Sequence, residues 1–269
     1  MSTKLTVHAD PKAELSGGVS AVVASLPVSY GPAAGAADIS ALDGEAGWTL
    51  RVLAAAQDGA RGVVVVNPVA ESVEDIAAAA KTAAAVALDQ RWSSNPAVEG
   101  ARHALQGYLD DAALLDSVAI AAPGTQSVEL LTQHLALIQD LGVGLETLRL
   151  VQHGPTGYVA AGSLANGAPM ALQGITTSAV RPRCSVTVLN STGGLELTVP
   201  DPDAAWPAEI LVTNPSGSTL LPTLYESAHR STWTRLKKHL DAGQMPTDLA
   251  RFGEVASAVH RLTGHRATP

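Results

Sequence analysis

Four consecutive valines, Val63–Val66, set between Gly62 and Asn67-Pro68, constrain this chain more than any other stretch. A β-branched run with no polar alternation suits a strand covered on both faces, which is the situation inside a parallel sheet. Pro68 has no N–H and pushes Asn67 out of the α region, so the strand stops there. Ser72 then reads as an N-cap. Glu74 and Asp75 place negative charge in the first turn of a helix that starts near Val73. Arg61–Thr82 is therefore a strand–turn–helix unit, and the rest of the chain has to be compatible with it.

Before this unit, Leu5–Ala9 and Val19–Leu26 read as strands separated by a turn at Ser16-Gly17-Gly18. Tyr30–Ala37 reads as a Gly/Ala/Pro loop, Ala37–Leu42 as a short strand, and Trp48–Gln57 as a helix closed by Asp58-Gly59. After it, the helix runs to about Ala85 and Val86–Leu88 gives another strand. The alternation of β and α predicts a small parallel sheet.

Beyond Pro96 the rhythm changes. Helices are expected over Ala97–Tyr108 and Gln126–Leu141, with a strand at Val118–Ala122 between them. Six strands follow: Leu145–Val151, Tyr158–Leu164, Met170–Thr177, Ser185–Leu189, Leu195–Val199 and Ile210–Thr213. The pairs Asn166-Gly167 and Gly193-Gly194 predict antiparallel neighbours across tight turns. Two helices, Leu221–Ala242 and Leu249–Leu262, close the chain. The expected architecture is α/β plus α+β, a truncated Rossmann-like parallel sheet followed by a mostly antiparallel open sheet with helices on one face. The domain boundary is expected at 96/97, with the last helices able to pack back on the first domain.

Composition excludes several functions. A net charge of −8 and only one local basic cluster, Arg235–His239, argue against a nucleic-acid partner. A single cysteine, Cys184, permits no internal disulfide and no cysteine-based metal cluster. Its strand context suggests a small apolar role. The N-terminus lacks the apolar core of a signal peptide, and no apolar run is long enough to span a bilayer, so a cytoplasmic protein without a membrane partner is expected. The histidines His8, His103, His153, His229, His239, His260 and His265 show no ligand spacing, and metal is not expected. Neither a P-loop nor Gly-x-Ser-x-Gly occurs. Asp201-Pro202-Asp203 reads as a solvated acidic turn.

The order of segments resembles the Gfo/Idh/MocA family of NAD(P)-dependent sugar and inositol oxidoreductases. Val66-Asn67-Pro68 with Ser72-Val73-Glu74-Asp75 stands where that family has a strand ending in Glu-Lys-Pro and a Thr/Ser-x-Glu-Glu-like helix start. Gln90-Arg91-Trp92 with Asn95-Pro96 is similar to the family's Arg-containing strand end. His134 through Gly142 is similar to the helix that carries its catalytic histidine. Tyr158, Gly162, Asn166-Gly167, then Gly193–Leu197, then Tyr225-Glu226, Trp233 and Gly243 follow the C-terminal half. The resemblance spans about Asp58 to His265. It implies a Rossmann domain, a C-terminal sheet whose free face makes a homodimer, and an NAD(P) cofactor.

Several departures oppose that chemistry. Asn67 stands in place of the lysine, with no charge and no proton to relay. Leu130 stands in place of the aspartate one turn before His134. Losing a positioned acid/base group costs about 10²–10⁴ in rate. No Gly-x-Gly-x-x-Gly string follows the first strand. About 60 residues precede Val63, where the resemblance implies four βα units at roughly 30 residues per βαβ. One or two units, and the mononucleotide crevice with them, are therefore expected to be missing.

The sequence thus reads as a degenerate oxidoreductase homologue acting as a non-catalytic binding or accessory subunit, either alone or beside an active homologue, with no cofactor expected and His134 as a catalytic vestige. The alternative is a divergent NAD(P)-dependent oxidoreductase acting on a sugar or polyol. The candidate ligand contacts are Asn67, Arg91 and His134. Each also has a plainer reading: a turn residue before Pro68, a surface ion pair, and a histidine satisfied by its neighbours.

Overall fold

A computed structural model describes residues 3–264. The chain divides into two compact units. One runs to Ser94 and takes up Ala228–Ser257 from the end of the chain. The other comprises Asn95–Ser227 with the chain from Ala258 onward.

The first unit is a five-stranded parallel sheet. Its strands are β1 (Leu5–Ala9), β2 (Tyr30–Pro32), β3 (Ile39–Asp43), β4 (Gly62–Val66) and β5 (Ala85–Asp89), in the order β2-β1-β3-β4-β5. All four valines of β4 are fully buried, as a strand covered on both faces must be. Helices α1 (Pro11–Gly17) and α2 (Val19–Ser25) link β1 to β2. Helix α3 (Trp48–Gln57) links β3 to β4, and α4 (Val73–Ala79) links β4 to β5.

Three parallel strands precede β4, one of them only three residues long, so the sheet is shortened as the residue count requires. The crossover survives, however. The chain leaves β1, adds β2 on one side, and returns to add β3 on the other. The expectation that the crevice is lost with the missing unit is corrected on this point.

Val19–Leu26 is a helix and not a strand. Val19, Val22 and Val23 fall at i, i+3 and i+4, and Val19 and Val23 are buried in the sheet's core, so packing on one helical face outweighs β-branched propensity. The turn expected at Ser16–Gly18 is present, but it joins two helices, with Gly18 left-handed at φ 53°. Helix α4 ends six residues early. Lys81 and Thr82 donate to the carbonyls of Ala78 and Ala79 and tighten the chain, and Ala85 goes to β5 instead.

The outer edge of β5 is finished by two helices from the chain's end, α7 (Ala228–Ala242) and α8 (Asp248–Thr263). The Leu88 N–H donates to Asp248 Oδ2 at 2.9 Å, and Arg235 Nη2 donates to the Leu88 carbonyl at 3.3 Å. Arg235 Nη1 also lies 2.5 and 2.7 Å from the two Asp248 oxygens. An ion pair therefore takes the place of the next strand and blocks edge-to-edge pairing. Trp233 of α7 meets Tyr30 edge-on, with ring centroids 5.1 Å apart, and the Tyr30 hydroxyl donates to the Trp233 carbonyl at 2.9 Å.

The second unit carries α5 (Ala97–Leu109), β6 (Leu114–Ala121), α6 (Ser127–Asp140) and the strands β7 (Arg149–Gly154), β8 (Gly157–Ser163), β9 (Pro169–Thr176), β10 (Arg183–Leu189), β11 (Gly194–Pro200), β12 (Glu209–Asn214) and β13 (Gly217–Leu220). They form one eight-stranded sheet, β13-β12-β11-β10-β6-β9-β8-β7, antiparallel except where β6 lies parallel to β9. The hairpins at Asn166-Gly167 and Gly193-Gly194 form as their turn chemistry predicts. Strand β13 is missing from the sequence reading, which runs a helix through Leu221–Ala242. Pro222 disfavours a helical residue before it, and α7 starts only at Ala228.

Candidate functional site

Open α/β sheets take ligands at the carboxyl ends of their strands, where the strand order reverses. Here that point lies between β1 and β3. The residue after β1 is Asp10, followed by Pro11 as the first residue of α1. Asp10 Oδ1 accepts the Ala13 N–H at 2.6 Å, and Oδ2 accepts the N–H of Asp43, the last residue of β3, at 3.0 Å. Ser16 of α1 donates to Asp43 Oδ2 at 2.9 Å, and Lys12 bonds Glu45 Oε2 at 2.6 Å. The two sides of the crevice are thus joined by the protein's own side chains.

The neighbouring helix start is filled in the same way. Glu71, in the loop after β4, accepts the N–H groups of Gly47, Trp48 (2.9 Å) and Thr49 (3.3 Å), and the Thr49 hydroxyl at 2.5 Å. Helix α4 is capped by Ser72, whose hydroxyl accepts the Asp75 N–H at 3.1 Å. A pyrophosphate needs free N–H groups and positive dipole at a helix N-terminus. At this edge the Ala13 N–H of α1 and the first N–H groups of α3 are held by carboxylates, whose charge repels a second anion. The residues present do not fit a dinucleotide at the crossover. The Asp-Pro start of α1 is visible in the sequence as an N-cap followed by proline. The reach of Asp10 to Asp43 and of Glu71 to α3 is not visible there.

Asn67 follows β4 with φ 50°, the one non-glycine residue at positive φ among the described residues. Its N–H donates to the Asp89 carbonyl at 2.8 Å. Its Oδ1 is buried with no hydrogen-bond partner among the described residues. Val69 N–H bonds the Gly44 carbonyl, and a Cβ on Gly44 would come 2.4 Å from Pro68 Cα, so the loops after β3 and β4 are in direct backbone contact. Asp89, fully buried, accepts His229 Nδ1 at 2.8 Å and the Thr232 hydroxyl at 3.2 Å. Arg91 is half-buried in the turn after β5 and engaged by its surroundings.

In the second unit, His134 lies fully buried on α6. Its Nε2 is 2.7 Å from Ser117 Oγ, and its Nδ1 is 2.7 Å from Tyr158 Oη. Ser117 Oγ donates its one hydrogen to the Ser185 carbonyl at 2.8 Å, so it must accept from Nε2–H. Nδ1 is then the acceptor for the Tyr158 hydroxyl. A directed chain results: Tyr158 O–H to Nδ1, Nε2–H to Ser117, Ser117 O–H to Ser185 O. Burial holds His134 neutral, with its pKa lowered to about 3. It also pushes the Tyr158 phenol well above its ordinary value and Cys184, 4.0 Å from Ser117, up to about 12. Neither ring nitrogen has a lone pair or proton left for a substrate. Leu130, one turn earlier, is buried as well.

Among the described residues no group of three or more His, Cys, Asp or Glu is placed to hold a metal ion, and no helix is long and apolar enough to cross a membrane. His265 lies outside the described residues.

No protein-family model matches the sequence, and no curated protein matches it. Solved structures do. An oxidoreductase from Sinorhizobium meliloti superposes with a TM-score of 0.69 at 13% identity, over 97% of this chain and 97% of that one. KijD10, a 3-ketoreductase from Actinomadura kijaniata in complex with NADP and TDP-benzene, gives 0.69 at 13% identity over 97% and 89%. GnnA, a UDP-N-acetylglucosamine 3-dehydrogenase from Acidithiobacillus ferrooxidans, gives 0.68 at 11% identity over 97% and 97%. The chain has the Gfo/Idh/MocA fold. At 11–13% identity the Gfo/Idh/MocA likeness shows the fold alone, which depends on burial pattern and strand order and not on the site residues.

Proposed function

We propose that this protein is a non-catalytic member of its fold, a binding or accessory protein that does not transfer hydride. The observation that carries this reading is Asp10, whose carboxylate occupies the α1 N-terminus and bridges to Asp43 across the crossover. It is supported by Asn67 in place of a charged group and by a neutral His134 whose ring nitrogens are both spent on core partners. Such a protein keeps the scaffold's rigidity and surfaces and acts through them, either alone or beside an active homologue of the same fold. The face of the eight-stranded sheet that carries the exposed Ile175 and Leu189 is the proposed homodimer surface.

Titration with NADH and NADPH, followed by nicotinamide fluorescence, tests this directly. No saturable binding up to millimolar cofactor is expected. Micromolar binding of either would refute the reading and favour a divergent NAD(P)-dependent oxidoreductase acting on a sugar or polyol. Light scattering tests the surface: a monomer at high protein concentration removes the dimer.

A further inference from the structure

We propose that the flank of α2 holds a binding site for a small amphipathic carboxylate, an apolar chain whose charged end is met by Lys4. A cavity of about 390 Å³ lies between α2 and the end of the parallel sheet, lined by residues that include Val7 and Ala9 of β1, Ala24 and Pro27 of the α2 segment, and Gly31 and Pro32 of β2. Its size is that of a small-ligand pocket, and apolar walls with few polar groups are what such pockets have. It exists because β2 ends the sheet, so no further βα unit packs against that side of α2.

The polar groups of the lining decide what fits. The Tyr30 hydroxyl is spent on the Trp233 carbonyl, and the Ser20 hydroxyl donates to Glu14 at 3.0 Å. Lys4 is the one charged residue in the lining and has no ion pair among the described residues. A Cβ on Gly31 would come 2.7 Å from Lys4 Cε and 3.2 Å from its Nζ, so the glycine is what lets the lysine chain lie across β2. One ammonium beside an apolar cavity selects an anion with an apolar body over a neutral or cationic one of equal length. The inference does not depend on the fate of the dinucleotide, because neither Asp10 nor Asp43 is among the residues that line this cavity.

Calorimetric titration of the full chain with octanoate, octanol and octylamine tests it. Saturable octanoate binding is expected, with octanol weaker and octylamine weakest. Lys4→Met should weaken octanoate roughly three- to fivefold, within the range of an exposed ion pair, and leave octanol unchanged. Ala24→Phe should fill the cavity and remove both, with the urea midpoint confirming that the variant folds. Absence of saturable octanoate binding, equal affinity for octanoate and octanol, or octanoate binding that survives Ala24→Phe would each overturn the proposal. The NADH titration reads the other site, so failure of one does not entail failure of the other.

Discussion

Acidification should destabilise this protein through His134 in a way that a single substitution can isolate. The imidazole is fully buried, both nitrogens are bonded, and its pKa falls from 6.5 to about 3. Above pH 6.5 it is neutral in the folded and unfolded chain alike. Below that, the unfolded chain takes up the proton while the folded chain does not, until the pH approaches 3. Stability contributed by the neutral ring is therefore complete above pH 6.5 and is lost as pH falls through the interval between the two values. The slope is about 1.4 kcal/mol per pH unit. At pH 5 the loss is about 2 kcal/mol, a figure set by the unfolded value as long as the folded one lies well below 5.

Urea unfolding at pH 7.5, 6.5, 5.5 and 5.0, on the native chain and on His134→Gln, measures it. The variant removes the titration, so the stability difference between the two should shrink by about 2 kcal/mol from pH 7.5 to 5. Carboxylates common to both proteins cancel. A difference that stays constant across this range would show that the histidine is not held neutral, and with it the directed chain from Tyr158 to Ser185 would fail. If His134→Gln does not fold, the His134 ring resonance in the native protein should not shift between pH 7.5 and 5.

Three other substitutions probe the first unit, each read by urea unfolding. Asp248→Ala removes the acceptor for Leu88 N–H and strips Arg235 of its carboxylate, leaving it only the Leu88 carbonyl, and should cost about 3 kcal/mol, the scale for breaking a buried ion pair from one side. Gly44→Ala puts a methyl group 2.4 Å from the Pro68 backbone and should cost several kcal/mol or prevent folding, because neither loop can retreat without breaking the Val69–Gly44 hydrogen bond. Asn67→Gly relieves a positive φ and removes a buried orphan oxygen; it should leave stability unchanged or raise it by about 1 kcal/mol, and a large loss would mean that Oδ1 has a partner.

Much of the fold is legible from residue pattern alone. The buried Val63–Val66 strand, its Ser72-capped helix, helix α6 and the Asn-Gly and Gly-Gly hairpins all follow from local rules, since burial on both faces, capping and positive φ each leave a mark within a few residues. Apart from the late start of α7, where Pro222 is a local cause, the misreadings are those in which the deciding partner is remote. Val19–Ser25 carries β-branched residues whose helical spacing matters only because a sheet lies beneath them. The Ala77–Ala85 run allows a longer helix, and it is shortened because Ala85–Asp89 is wanted beside β4. At the site, Asn67, the absent glycine fingerprint and the Asp10-Pro11 cap signal are readable; the reach of Asp10 to Asp43 and of Glu71 to α3 is not.

The sequence by itself settled the order of elements, the shortened parallel half and the absence of the charged groups that hydride transfer needs, because these depend on which residues are present and how they are spaced. The tertiary structure decided what those residues do. Only when β1 and β3 come side by side does Asp10 reach Asp43, and only when α6 lies on β6 and β8 do Ser117 and Tyr158 close on both nitrogens of His134. A side chain's role is set by the groups within about 3 Å of it, and in this chain those groups are 17 to 33 residues away.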